Sequence, residues 1–191
     1  MPQTRKASSR ARAAAEPSSK TKANKSSKFT KAAVRASGDA IDILEADHRE
    51  VEDLFARFAN ATGDAQKRDV AIAICSALKV HARLEEELFY PAAYAALGNK
   101  SLLEGAIVEH ASAKDLIAQI ESGAPGEAYY DARVKVLSEY INHHVKGEES
   151  EIFSQCRDSD LDLDALGAIL AMRKQELMTG FFVSNPVLAL S

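Results

Sequence analysis

Apolar residues begin to fall at helical spacing at Asp39. The first stripe is Ile41, Leu44, His48, Val51, Phe55 and Phe58, with steps of three and four that mark one face of an amphipathic helix, helix A, over about 39–60. Thr62, Gly63 and Asp64 form a turn. Helix B then follows the stripe Val70, Ile74, Ala77, His81, Glu85 and Leu88 to Tyr90 and stops near Pro91. After Gly98 and Asn99, Ser101 is placed to cap helix C, with the stripe Leu103, Ala106, His110, Ala113, Ile117 and Ile120. Gly123, Pro125 and Gly126 break the chain. Helix D runs to about Cys156 with Val134, Leu137, Ile141, His144, Glu148 and Ile152 on one side. Asp162 or Asp164 can start a fifth helix, E, through Met178, which Gly180 ends before an apolar tail led by Asn185 and Pro186.

Four helices of about 20–30 residues with short connections favour antiparallel neighbours, so the pattern predicts an all-α, up-down-up-down bundle with E packed over it. At 191 residues and 46% hydrophobic, the chain supports one well-buried core. The expected organisation is a basic tail at 1–38, the bundle and fifth helix at 39–180, and a C-terminal tail at 181–191.

The overall charge of −4 conceals a split. Residues 1–38 carry ten Lys or Arg against the single acid Glu16, and the remainder is acidic. That leader has few large apolar groups, so nothing offsets its ordering entropy and it is expected to be disordered. It could be a solvated tail, a transit peptide or a weak, non-specific contact for nucleic acid. No stretch approaches the roughly 20 apolar residues of a membrane span, and no apolar segment marks secretion, which predicts a cytoplasmic protein without membrane contact. Cys75 and Cys156 are not in a metal or disulfide spacing. In a bundle with B and D parallel they lie about 9 Å before and about 18 Å beyond their helices' histidines, so both are expected to be free thiols.

The polar residues inside the apolar stripes carry the chemistry. A single core histidine is more often hydrogen-bonded than metal-bound. Here His48, His81, His110 and His144 each occupy the middle of the stripe on a different helix. Glu85 and Glu148 follow His81 and His144 by four residues, on the same faces. Burying two carboxylates costs several kcal/mol each even after relaxation, and no Lys or Arg shares the stripes, so metal ions are the expected partners. The chain also repeats itself: LKVHARLEEELFYP aligns with INHHVKGEESEIFS, and ADHREVEDLF with VEHASAKDLI. Two related hairpins imply a dinuclear site with two histidines per metal and the glutamates between them. Mixed nitrogen and oxygen donors suit iron first and manganese second.

With these motifs in view, residues 39–158 resemble the hemerythrin-like, or HHE cation-binding, domains: a lone His, an HxxxE, a second lone His and a second HxxxE on four successive helices. HARLEEELFYP and HVKGEESEIF are similar to the family's second- and fourth-helix signatures. The resemblance implies a non-haem di-iron centre in which His48 and His81 hold one iron, His110 and His144 the other, and Glu85 and Glu148 bridge them with an oxo or hydroxo group. It departs from the oxygen-carrying hemerythrins, which have a further histidine where Ala106 stands and an aspartate five residues after the fourth-helix histidine. His143, about 100° around the helix from His144, is read as a surface histidine or one that supports a ligand from outside. Glu52, one turn beyond His48, could fill a coordination site, and Glu86, Glu87, Glu149 and Glu151 could orient the ligands from outside, but each is read first as a solvated surface acid. The single ExxH, Glu45 to His48, argues against a ferritin-type site.

Three functions follow as expectations. The first is binding or sensing of dioxygen, nitric oxide, peroxide or iron. The second is an enzyme that oxidises ferrous iron or removes peroxide in stress defence. The third is a redox protein associated with nucleic acid through its tail.

Overall fold

The computed structural model describes residues 38–184, with the side chains of 181–184 outside the description. The expectations for the basic leader and for the tail after Ser184 lie outside the described residues.

Asp39 starts the first helix, α1 (Ala40–Ala59), through a reciprocal cap: its carboxylate accepts from the backbone of Ile41 and Asp42, and the Asp42 carboxylate accepts from the backbone of Asp39. Helix α2 (Asp64–Leu84) leads directly into a π-helical turn, Glu85–Phe89, and then α3 (Tyr90–Leu97). Helix α4 is Lys100–Glu121 and α5 is Tyr130–Gly147; α5 runs into a second π turn, Glu148–Phe153, and a short α6 (Ser154–Arg157). Helix α7 (Leu163–Ser184) completes the chain, with the Asp162 carboxylate accepting from the backbone of Ala165 at its start. Helix α1 packs against α2 and α5, and α4 against α2 and α5, which makes the four-membered bundle; α7 lies across α1 and α2. None of the described helices is long and apolar enough to cross a membrane.

The structure corrects several boundaries. Pro91 does not end the second helix, because the helix restarts after the π turn and places Pro91 in a first turn, where no backbone N–H is required. The π turn also accommodates one extra residue, so Phe89 rather than Leu88 is fully buried below Glu85. Asn99, not Ser101, caps the third bundle helix, with its side-chain oxygen accepting from Leu102. Gly180 does not stop α7, since one glycine in a helix costs only about 1 kcal/mol.

The core divides into two apolar layers. One, around Phe55, Phe58, Ile74, Ile117, Val134 and Leu137, fills the end near the α1–α2 turn. The other, around Leu44, Leu84, Phe89, Phe153, Leu166 and Leu170, fills the opposite end and includes α7. Cys75 belongs to the first layer and Cys156 to the second, and both are free thiols. Burial, reinforced by Glu121, pushes Cys75 up to about 12, and burial then Glu148 pushes Cys156 up to about 11. These thiols are protonated and unreactive.

Candidate metal centre

Between the two apolar layers lies a polar one. His48 on α1, His81 on α2, His110 on α4 and His144 on α5 are all buried, as are Glu85 and Glu148 at the starts of the two π turns. Their donor atoms converge in two groups. The Nε2 atoms of His48 and His81 are 3.1 Å apart, with Glu85 Oε1 3.1 Å from His81 Nε2 and Glu148 Oε2 3.4 Å from His48 Nε2. The Nε2 atoms of His110 and His144 are likewise 3.1 Å apart, with Glu85 Oε2 3.2 Å from His110 Nε2 and Glu148 Oε2 3.7 Å from His144 Nε2. Glu85 spans the two groups with one oxygen toward each, whereas Glu148 belongs to the His48/His81 group and approaches His144 only at 3.7 Å through the same oxygen. All six residues singled out in the sequence meet here, in the same histidine pairs.

Donor chemistry is the test of fit. Atoms that share one ion at about 2.0–2.2 Å and roughly right angles lie about 3 Å apart, which is the spacing found within each histidine pair. All four carboxylate oxygens of Glu85 and Glu148 are buried and make no hydrogen bond to described residues. Such groups are rare in native interiors and point to an ion. Without an ion the layer is electrostatically crowded. Burial, and then the charge of Glu85, push the Glu148 carboxyl well above the ordinary carboxylate range. Burial would raise Glu85 too, but His81 and His110 hold it well below that range. Burial and the neighbouring His81 press His48 down to about 4. His81 resists its own burial because Glu85 and Asp47 support its charge, and it rises to about 10. The layer thus favours the neutral form of Glu148 and the charged form of His81, each in a place where cation charge would serve.

The opposite ring nitrogens reveal an order of which the sequence offered only Glu86 and Glu149, and those as the less favoured reading. His48 Nδ1 lies 2.9 Å from Glu149, His110 Nδ1 2.9 Å from Glu86, and His144 Nδ1 2.8 Å from Glu109. His81 Nδ1 lies at ion-pair distance, 3.5 Å, from Asp47, without a hydrogen bond. Each acid comes from the preceding ligand-bearing helix: α1 supplies α2, the first π turn supplies α4, α4 supplies α5, and the second π turn supplies α1. The ring closes on itself. A carboxylate on Nδ1 selects the tautomer that turns the Nε2 lone pair inward and raises its basicity. For Glu86 and Glu149 the structure thus favours the ligand-orienting reading over the solvated one that the sequence put first, and Asp47 and Glu109 join them. The available signal was adjacency: each acid is next in sequence to an inward-facing His or Glu, so it points about 100° away, toward a neighbouring helix. Outer side chains hold these acids in turn: the cations Lys174 on Asp47, Lys114 on Glu86 and Arg49 on Glu149, and the imidazole of His143 3.7 Å from Glu109. Burial opposes the Asp47 charge, but His81 and then Lys174 keep its carboxyl below the ordinary range.

Other sequence candidates stand apart. Glu52 is exposed and pairs with Arg49, Glu87 pairs with Arg83 and Arg173, and Glu45 pairs with Arg157. His143 is 84% exposed along its side chain. Glu151 is exposed. Ala106 is buried in the second apolar layer and adds no donor.

The internal repeat is visible in the aromatic residues and broken there. Phe153 lies parallel to the His48 ring at 2° with centroids 5.7 Å apart, while Tyr90, at the equivalent repeat position, leans on His110 at 5.6 Å. The Tyr90 hydroxyl is 3.4 Å from His110 Nε2, and burial together with Glu85 and Glu148 keeps the phenol protonated. A polar group thus faces one histidine pair where a phenyl ring faces the other. Beside the four histidines is a cavity of about 30 Å³ with apolar walls that include Val51, Leu78, Ala113, Ile117 and Ile141.

Residues 39–156 match the hemerythrin HHE cation binding domain. The chain belongs to that family. Its solved relatives include a hemerythrin HHE cation binding domain-containing protein of Mycobacterium kansasii, with a TM-score of 0.68 over 78% of this chain and 93% of that one. The two are 19% identical, a likeness of fold. Among characterised sequences, a DNA nickase of a Nostoc species is 28% identical over 118 residues, 62% of this chain. The match spans 33% of that relative's length. This is a metal-binding protein of the hemerythrin-like type.

Proposed function

We propose that the centre is a non-haem di-iron site whose exchangeable ligand is a diatomic molecule or peroxide. His48 and His81 would hold one iron and His110 and His144 the other, with Glu85 and Glu148 spanning the two. The convergence of two Nε2 pairs on the buried carboxylates of Glu85 and Glu148, whose oxygens have no hydrogen-bond partner among the described residues, carries this reading. The nitrogen and oxygen donors, without thiolate, favour iron, with manganese next. Iron at this position supplies reversible ligand binding and one-electron chemistry. The chain's own residues orient the rings through the outer carboxylates, exclude bulk water with two apolar layers, and limit what can approach. A cavity of about 30 Å³ beside the histidines admits a molecule of roughly water or dioxygen size.

Turnover of peroxide or ferrous iron is a second reading. Tyr90 favours it, because its phenol is a proton donor beside one histidine pair, and Ala106 favours it by leaving the third bundle helix one donor short of an oxygen carrier. Association with nucleic acid is a third. It draws on the ten basic residues of the leader and on the Nostoc relative, of which this chain spans a third.

The test is anaerobic iron loading followed by oxygen, with metal analysis and absorption spectroscopy, on the wild-type chain, His81→Ala and Glu148→Ala. Two irons per wild-type chain and fewer in each variant are expected. Two irons in both variants would overturn the assignment. Release of oxygen under vacuum selects binding or sensing, and sustained consumption of peroxide or ferrous iron selects the enzyme. Loss of salt-sensitive DNA binding on deletion of residues 1–38 would support the third reading.

A further inference from the structure

The fifth helix breaks the two-fold symmetry of the site more deeply than the aromatic pair does. Asp47 and Glu109 are equivalent in the repeat, each preceding an inward-facing histidine and each facing Nδ1 of the next helix's histidine. Glu109 has a side chain 37% exposed, and its outer partner is the solvent-exposed His143. Asp47 has a side chain 6% exposed, and its outer partner is Lys174 of α7. The repeat contains no counterpart of α7, and α7 lies beyond the 39–156 stretch that matches the family.

Helix α7 is placed for this contact by close backbone packing. A Cβ at Gly167 would lie 2.8 Å from the backbone of Asp39 and Ala40, so α7 can approach the start of α1 only with glycine there. Leu166 and Leu170 bury their side chains in the same layer as Leu44. One turn beyond Leu170, Lys174 reaches Asp47.

We propose that Lys174 is a positioning residue of the metal centre: by holding Asp47 against His81, α7 sets the metal affinity of the His48/His81 position and leaves that of the His110/His144 position unchanged. The inference rests on the dinuclear reading above. Its physical basis is that a buried Asp47 without Lys174 has only a 3.5 Å contact to His81 to hold its charge and its rotamer. A carboxylate that turns away leaves His81 free to rotate or to take the other tautomer. Loss of such outer contacts typically weakens metal binding about 10–100-fold.

The experiment is a competitive titration of ferrous ion, under anaerobic conditions, against a chromophoric chelator, using the full chain and the variants Lys174→Met, Lys174→Arg and Glu109→Gln. Thermal melting of each metal-free variant is measured alongside. In Lys174→Met one of two ions should bind about 10–100-fold more weakly while the other is unaffected, and Lys174→Arg should restore the loss. Glu109→Gln, combined with Lys174→Met, should weaken the remaining ion. Equal weakening of both ions in Lys174→Met, no weakening, or a loss that arginine does not restore in a folded variant would each overturn the proposal. If Lys174→Met fails to fold, the decision passes to Lys174→Arg and to Asp47→Asn, in which the same single ion must be affected. Failure of the wild-type chain to bind two ions would instead overturn the dinuclear reading.

Discussion

The two buried glutamates look interchangeable by symmetry, yet the metal-free protein treats them oppositely, and replacing each by methionine should expose the difference. Burial and the charge of Glu85 push Glu148 toward its neutral form, and neither of its buried oxygens is hydrogen-bonded to a described residue. A buried polar group in that state costs about 1–3 kcal/mol, and methionine of similar length removes it without opening a cavity. Glu148→Met should therefore stabilise the metal-free chain by about 1–3 kcal/mol, which for a domain of this size raises Tm by about 2–12 °C. Glu85 is instead ionised and supports the protonated His81 at 3.1 Å. Removing one partner of a buried pair leaves an uncompensated charge and costs about 3–5 kcal/mol, so Glu85→Met should lower Tm by about 6–20 °C. Neither variant should bind two irons or show the metal-dependent stabilisation of the wild type, about 2.7 kcal/mol per site at a hundredfold excess over Kd. The assay is circular-dichroism melting of chelator-treated and iron-loaded protein. Destabilisation of the metal-free chain by Glu148→Met, with two irons still bound, would refute the reasoning.

Protons and metal should compete. Loading must displace the protons on Glu148 and His81, so iron affinity should rise with pH through neutrality, and a pH indicator should record proton release on loading. In the metal-free chain His81 holds its proton to about 10 against an ordinary 6.5, so the stability that proton confers is complete below about pH 6.5 and is lost as the pH rises toward about 10, a fall that melting curves should show only without metal. Phe153→Ala removes the ring stacked on His48 and a fully buried side chain; it should cost about 3–5 kcal/mol by urea unfolding, and a loss below 1 kcal/mol would contradict the packing. Gly167→Ala should cost about 1–3 kcal/mol because its methyl meets α1 backbone, whereas Gly105→Ala, with open space around it, should not destabilise the fold.

The four bundle helices, their antiparallel order and the inward histidines and glutamates were legible because a period of three and four is set by helix geometry alone, and each stripe carried its polar residues at the centre. What was hidden depends on neighbours. The π turn at Glu85–Phe89 arises where one side chain must reach the centre and the next must reach His110, and no local propensity in EEELF announces it. That turn moved the buried position from Leu88 to Phe89 and carried the helix past Pro91. Glu86 and Glu149 sit in acidic runs that look like a solvated face, and only the adjacent helix gives them a partner. The contact of Lys174 with Asp47 joins residues far apart in sequence through a helix with no repeat equivalent, and nothing in the spacing pointed to it.

The central claim is that six side chains from four helices hold two metal ions in distinct, adjoining positions. Anomalous diffraction at the iron edge from crystals of the iron-loaded chain tests it most directly. Two peaks are predicted inside the bundle, one against the Nε2 atoms of His48 and His81 and one against those of His110 and His144, with Glu85 and Glu148 between them. A single peak, or peaks only at the exposed acids outside the bundle, would contradict the account.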